Sequence, residues 1–191
     1  MRAFVALTLP SGARRHLLAC QDRLTACRAD VSWVAESALH LTLKFLGDIA
    51  EEQRQALASS LQAVGGRTAP FSLRLGGVGA FPGAASPRIV WAGLAEGGPA
   101  AAALAADVEA AAETCGVPRE ARGFHAHVTL GRVRSTRRLP TLAAVLREGS
   151  WPESSPWTAE ALVFFQSVLG PEGPAYTALA TAAFGGASQT R

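Results

Sequence analysis

Lysine is almost missing from this chain of 191 residues. Lys44 is the only one, and every other member of the 18 Lys and Arg residues is arginine. Arginine suits bidentate phosphate contacts, and a GC-rich coding sequence gives the same bias. Cysteine is scarce too. Cys20, Cys27 and Cys115 are odd in number and have no C-x-x-C spacing, which argues against a disulfide framework or a zinc site. A reduced, cytoplasmic compartment fits that usage. No apolar run approaches the roughly 20 residues a membrane helix needs. The run Phe4 to Leu9 halts at Pro10 and is followed by arginines, so it reads as a strand and not as a signal peptide. The glycine-rich stretch Gly76-Gly77-Val78-Gly79 lacks the Lys-Ser/Thr of a phosphate-binding loop and reads as a turn. Charged residues are only 17% and net charge is +3, with no block of one sign. That balance is compatible with a polyanionic ligand and does not by itself identify one.

Apolar residues make up 49%, enough for a substantial core and too many for a disordered chain. Alternation and length predict strands at 2–9, 31–34, 39–46, 71–78, 88–94, 125–133, 159–169 and 176–184. Helices are predicted from Ser11, as cap, to about Cys27, then at 51–64, 99–115 and 140–147. The residues Gly170-Pro171-Glu172-Gly173-Pro174 carry strong turn chemistry between the last two strands. The predicted unit is a single α+β domain over 1–184 with a flexible tail at 185–191. One low-order repeat is visible. His40-Leu41-Thr42-Leu43 returns as His127-Val128-Thr129-Leu130, a little under half the chain later, which suggests two similar lobes.

Side chains alternate faces along a strand. Each copy therefore presents one imidazole and one hydroxyl on one face, with core residues on the other. Two such strands facing one cleft suit cleavage of a phosphodiester without metal. One neutral histidine takes a proton from water, and a charged one gives a proton to the leaving oxygen. The ordinary imidazole pKa of about 6.5 allows both tasks near neutral pH. The threonine hydroxyls can donate to phosphate oxygens where charge builds. A lone His-x-Thr in a strand is usually a half-buried polar pair without function. Two copies drawn from only four histidines weigh against coincidence. No acidic ligands accompany them, so no metal is expected.

These residues resemble the two-histidine (2H) phosphoesterase superfamily, and within it the bacterial RNA 2′,3′-cyclic phosphodiesterases once named 2′-5′ RNA ligases. Arg2-Ala3-Phe4-Val5-Ala6 is similar to the family's first strand. Leu39 to Gly47 (LHLTLKFLG) is similar to its first motif with flanks. Arg88 to Gly93 (RIVWAG) resembles the next strand, and Phe124 to Arg132 (FHAHVTLGR) the second motif. Ser167 to Leu169 and Tyr176-Thr177 resemble the closing hairpin. The resemblance implies a bilobal α+β fold of two pseudo-symmetric antiparallel sheets flanked by helices, with a central cleft. It implies His40 as proton donor to the leaving O3′, His127 as acceptor from water, Thr42 and Thr129 on the phosphate, and a 2′-phosphate product. It also implies a substrate that is RNA ending in a 2′,3′-cyclic phosphate, or a cyclic nucleotide, with no cofactor. A cytoplasmic monomer without membrane contact is expected. Ala126 stands where the family usually has proline, and so does Gly123; both loosen the entry into the second motif strand.

Other residues are candidates for substrate contact. His125 shares a predicted face with His127. Simple alternation points Arg132 away from the site, while the resemblance keeps it as a phosphate candidate. Lys44 has the parity of His40 and Thr42 and is a candidate for RNA backbone, or else a solvated strand end. Phe45, Trp33 and Trp91 can stack on a base, with core packing favoured for each. Ser167 and Tyr176 are expected to line the cleft. Two alternatives stand beside hydrolysis. One is ATP-independent 2′-5′ joining of RNA halves, and the other is an RNA-end or nucleotide-binding module without turnover.

Overall fold

Apolar runs bounded by glycine, proline or a helix cap become strands, and the more evenly mixed segments between them become helices. A computed structural model describes residues 1–170 and 173–186. In chain order the strands are β1 (Arg2–Leu7), β2 (Val31–Trp33), β3 (Leu41–Asp48), β4 (Phe71–Phe81), β5 (Ile89–Glu96), β6 (Val128–Val133), β7 (Trp157–Ala159), β8 (Ala161–Gly170) and β9 (Gly173–Ala183). The helices are α1 (Ser11–Thr25), α2 (Glu51–Arg67), α3 (Gly98–Thr114) and α4 (Leu139–Glu148). The short strand β7 escaped the sequence reading. Helix α1 begins at Ser11 itself. Pro10 takes the cap position and no side chain caps the helix. Gly76 to Gly79 form no separate turn but an irregularity inside β4, where Gly77 takes a φ of 75°. Pro171 and Glu172 of the predicted turn, and 187–191 of the predicted tail, lie outside the described residues. Gly185 and Gly186 are hydrogen bonded back to Gly65 and Thr68.

The described strands form one antiparallel sheet in the order β7-β4-β5-β6-β3-β1-β8-β9, with β2 also on β6. It has two halves. One is centred on β5 and β6, the other on β1 and β3, and the halves meet where Leu41 pairs with Val128. The helices cross between halves. Helix α3 follows β5 yet packs under β3, and α1 follows β1 yet reaches β6. Between sheet and helices lies a fully buried core that includes Leu17, Leu24, Leu41, Leu57, Leu61, Leu73, Leu75, Leu130 and Leu142. Each such leucine contributes about 1.5–3 kcal/mol of transfer free energy.

Both motif strands carry a β-bulge at the same place. On β3, Ala6 pairs with Thr42 but Val5 with Lys44, leaving Leu43 as the extra residue. On β6, Trp91 pairs with Thr129 but Val90 with Gly131, leaving Leu130 extra. A bulge adds one residue and reverses the facing of all that follow. Each bulge is held from below by a polar side chain of the crossed-over helix. Gln21 on α1 donates to the Leu130 carbonyl at 2.9 Å. On β3, Lys44 Nζ donates to Glu109 Oε1 on α3 at 2.6 Å and to the Pro118 carbonyl at 3.1 Å. Glycine at 131 is required by close approach, because a Cβ there would stand 2.6 Å from Val31 and 2.8 Å from the Trp33 ring.

Lys44 therefore does not touch RNA and is not a solvated strand end. The bulge turns it inward, where its side chain is 2% exposed. Removing one partner of a buried pair leaves an uncompensated charge, at a cost of about 3–5 kcal/mol. Glu109 keeps 21% side-chain exposure, which places this pair at the low end. Lys44→Met is expected to lower unfolding stability in urea by about 3 kcal/mol, with Lys44→Met/Glu109→Leu recovering most of it. A single variant within about 1 kcal/mol of the parent would show that water already solvates the pair.

Candidate functional site

The meeting of β3 and β6 sets the site. Leu41 faces Val128, so extending that antiparallel register by one residue brings Thr42 opposite His127 and Thr129 opposite His40. All four then share the face away from the core leucines. The two histidines stand one residue before their strands, not inside them as alternation suggested. Each ring folds back on its own chain. His40 Nδ1 lies 2.8 Å from the Ala38 carbonyl, and His127 Nδ1 lies 2.6 Å from the His125 carbonyl. A carbonyl oxygen only accepts, so Nδ1 carries the proton in both rings. Nε2 is left as the working nitrogen, a lone pair in neutral imidazole and an N–H when charged.

Both imidazoles are held below the ordinary histidine range. For His40 the main cause is burial, opposed by the Ala38 hydrogen bond and reinforced by the positive field of His127. For His127 burial again leads, opposed by the His125 carbonyl and reinforced by His125 and Arg132. The strand register that brings Thr42 opposite His127 and Thr129 opposite His40 puts the two rings on one face. Charge on either ring raises the cost of charging the other.

Aromatic rings build the walls. Phe4 lies under His40 with ring centres 4.7 Å apart, and Tyr176 meets His40 edge-on at 5.3 Å. Phe165 stacks on Phe4 at 5.2 Å. Across the cleft Phe81 meets His127 edge-on at 5.1 Å, and Trp91 lies 6.4 Å from it and 4.9 Å from His125. Glycine at 79 makes room for Trp91, because a Cβ there would fall 2.5 Å from the indole. Phe81 and Phe165 occupy matching positions in the two halves, opposite Ile89 and Phe4. Phe4, Phe81 and Phe165 were missed in the sequence, where nothing separates them from core phenylalanines.

The bulges settle the disputed candidates. Phe45, expected to favour the core, is 62% exposed, because it follows Lys44 and regains the face of Thr42. Arg132 has the corresponding place after Gly131. It lies on the face of Thr129, against simple alternation, and its charge reaches both His127 and Tyr176. Trp91 lines the cleft, while Trp33 packs on the core as expected. His125 is exposed and adjoins His127 with ring centres 5.9 Å apart. Ser167 is paired with Tyr176 across the closing hairpin. A cavity of about 520 Å³ opens beside His40, lined among others by Arg14, Glu36, Ser37, Phe165 and Tyr176. A second of about 500 Å³ lies beside His125, between Trp91 and Phe124. Among the described residues no three His, Cys, Asp or Glu side chains are grouped to hold a metal, and no helix is long and apolar enough to cross a membrane.

Residues 13–170 match the family model described as the 2′-5′ RNA ligase superfamily. The chain is 34% identical over 176 residues to an RNA 2′,3′-cyclic phosphodiesterase of Archaeoglobus fulgidus, covering 92% of this chain and 96% of that one. It is 31% identical over 164 residues to the protein of the same name from Aeropyrum pernix, covering 86% and 92%. Among solved structures, one from Thermus thermophilus superposes with a TM-score of 0.80 at 28% identity, covering 97% of this chain and 99% of that one. Apo LigT of E. coli gives 0.76 at 25%, covering 96% of each, and has also been solved with 3′-AMP.

In long-range proton–nitrogen NMR spectra at neutral pH, the rings of His40 and His127 are expected as the Nδ1–H tautomer, each titrating below the ordinary value of about 6.5. An Nε2–H tautomer in either ring would contradict the folded-back geometry.

Proposed function

The chain belongs to the 2′-5′ RNA ligase superfamily, and from that premise we propose that it is an RNA 2′,3′-cyclic phosphodiesterase working by paired histidine acid–base catalysis. The observation that carries the reading is the Leu41–Val128 pairing, which sets two His-x-Thr segments side by side with both Nε2 atoms free. The names of the relatives support the substrate class.

In this reading a water molecule attacks phosphorus while His127 Nε2 takes its proton. The P–O3′ bond breaks in line, and His40 Nε2 gives its proton to O3′. The product carries a 2′-phosphate and a free 3′-hydroxyl. His127 leaves the step charged and His40 neutral, and exchange with solvent restores both. Thr42, Thr129 and Arg132 donate to the non-bridging oxygens, where negative charge grows. The terminal nucleoside takes the side of its leaving oxygen, in the cavity beside His40 with Tyr176, Phe165 and Ser167. Phe45 offers an exposed face for stacking. His125 flanks the acceptor. The second cavity, beside His125, gives a place to an incoming nucleoside with a 5′-hydroxyl. ATP-independent 2′-5′ joining is then the same in-line displacement, with the 5′-hydroxyl in place of water giving its proton to His127 and His40 again protonating O3′. No step requires a metal or cofactor. One chain supplies every group, so a monomer suffices, with 1–184 acting as one domain. Three free thiols fit the cytoplasm.

His40→Ala and His127→Ala are each expected to reduce turnover of 2′,3′-cyclic AMP by about 100- to 10,000-fold, with circular dichroism unchanged. A variant with parental kcat would remove that histidine from the scheme. Turnover should persist in excess EDTA.

The pH dependence follows from the lowered pKa values. The donor must be charged, and burial makes His40 lose its proton below the ordinary value. The alkaline limb of kcat/KM is therefore expected below about pH 6.5. Bound phosphate places a negative charge beside His40 and raises its pKa, so the alkaline limb of kcat should lie higher. Coincident limbs in the two profiles would contradict this.

A further inference from the structure

We propose that two abutting loops beyond β6 form a track for the phosphodiester backbone of the RNA strand upstream of its reacting end. The track consists of Arg28, Arg134, Arg137 and Arg138, leading away from Arg132, and it rests on the reading of the site just given.

The loops are tied together. The Arg134 amide donates to the Asp30 carbonyl at 2.8 Å, and the Ser135 hydroxyl donates to the Asp30 carboxylate at 2.7 Å. Arg134 Nη2 donates to Ser32 Oγ at 3.1 Å, and Ser32 is the cross-strand partner of Arg132. Arg134 thus continues the face that carries Thr129 and Arg132. At about 3.3 Å per residue, Thr129 to Arg134 spans roughly 16 Å. The five arginines are all exposed. Among the described residues none of them pairs with a carboxylate, whereas Arg14, Arg54, Arg67, Arg74 and Arg119 all do. Asp30, the one acid in these two loops, is engaged by the Ser135 hydroxyl.

The backbone adds an independent observation. Among the described residues, Arg28 and Arg138 are the only non-glycine residues with positive φ, 54° in each. Glycine adopts that conformation without the Cβ penalty. Two arginines therefore stand, in neighbouring loops, where the fold alone would favour glycine. Exposed guanidinium groups free of acids on the site's own face fit a chain of phosphates, each of which releases condensed counterions on contact.

The test compares the parent with Arg28→Gly/Arg138→Gly and with the quadruple variant that adds Arg134→Gln and Arg137→Gln. None of the four belongs to the reacting centre. Glycine suits both left-handed positions, so the double variant should keep its Tm. Binding is measured by fluorescence anisotropy, over a range of salt, with an RNA oligomer ending in a 2′-phosphate and with adenosine 2′-phosphate. Turnover of 2′,3′-cyclic AMP is measured in parallel. The quadruple variant should bind the oligomer about ten-fold or more weakly at low salt. Its salt slope should be shallower by about 0.7 per lost contact. Adenosine 2′-phosphate binding and kcat/KM for cyclic AMP should not change.

Unchanged oligomer affinity and slope would overturn the track. So would a parent that binds oligomer no better than mononucleotide, or an equal loss on both ligands. Tighter binding of polyglutamate of matched length than of RNA would assign the arginines to an acidic protein and also overturn the proposal. If cyclic AMP is not hydrolysed but the oligomer binds as expected, the hydrolase reading fails and the track stands.

Discussion

One ladder contact organises the molecule. Leu41 and Val128 pair where two half-sheets meet, and each is flanked by the polar residues of its motif. Were the halves joined elsewhere, each His-x-Thr segment would be an isolated polar pair on its own lobe. Joined there, the strands place two imidazoles and two hydroxyls on one face while Leu41, Leu43, Val128 and Leu130 fill the core behind. The crossed helices bond to the strands just beyond that contact, α1 through Gln21 to the Leu130 carbonyl and α3 through Glu109 to Lys44.

The matched bulges give the site its asymmetry. They bring Phe45 and Arg132 to equivalent places after the two threonines, one an exposed ring and the other a guanidinium. The exposed ring belongs to the half that holds His40, the guanidinium to the half that holds His127, while aromatic walls stand on both sides. A nearly symmetric frame thus presents unlike side chains at these two equivalent positions. Burial by Phe4, Tyr176, Phe81 and Trp91 explains why both imidazoles sit below the ordinary range, and an anion between them would reverse that tendency.

The double motif, the strand and helix order and the two-lobed plan were readable because period and turn chemistry are local properties. His40, Thr42, His127 and Thr129 stand together as their spacing suggested. Lys44, Phe45 and Arg132 did not follow, because an extra residue in a strand leaves no local mark and inverts all that comes after. Lys44 illustrates the cost of assuming strict alternation: the single lysine of the motif belongs to the interior. Phe4, Phe81 and Phe165 could not be told from core residues, since the face that a phenylalanine takes depends on which strands become neighbours. The destinations of α1 and α3 were hidden for the same reason.

In the proposed scheme the two histidines work as one device, and a double-mutant cycle on kcat/KM for 2′,3′-cyclic AMP tests that most directly. Groups that act as a unit are strongly non-additive. The His40→Ala/His127→Ala variant should therefore be hardly slower than the worse of the single variants. Losses that multiply in full would mean that each imidazole acts alone, and the shared cleft would then explain nothing about the chemistry.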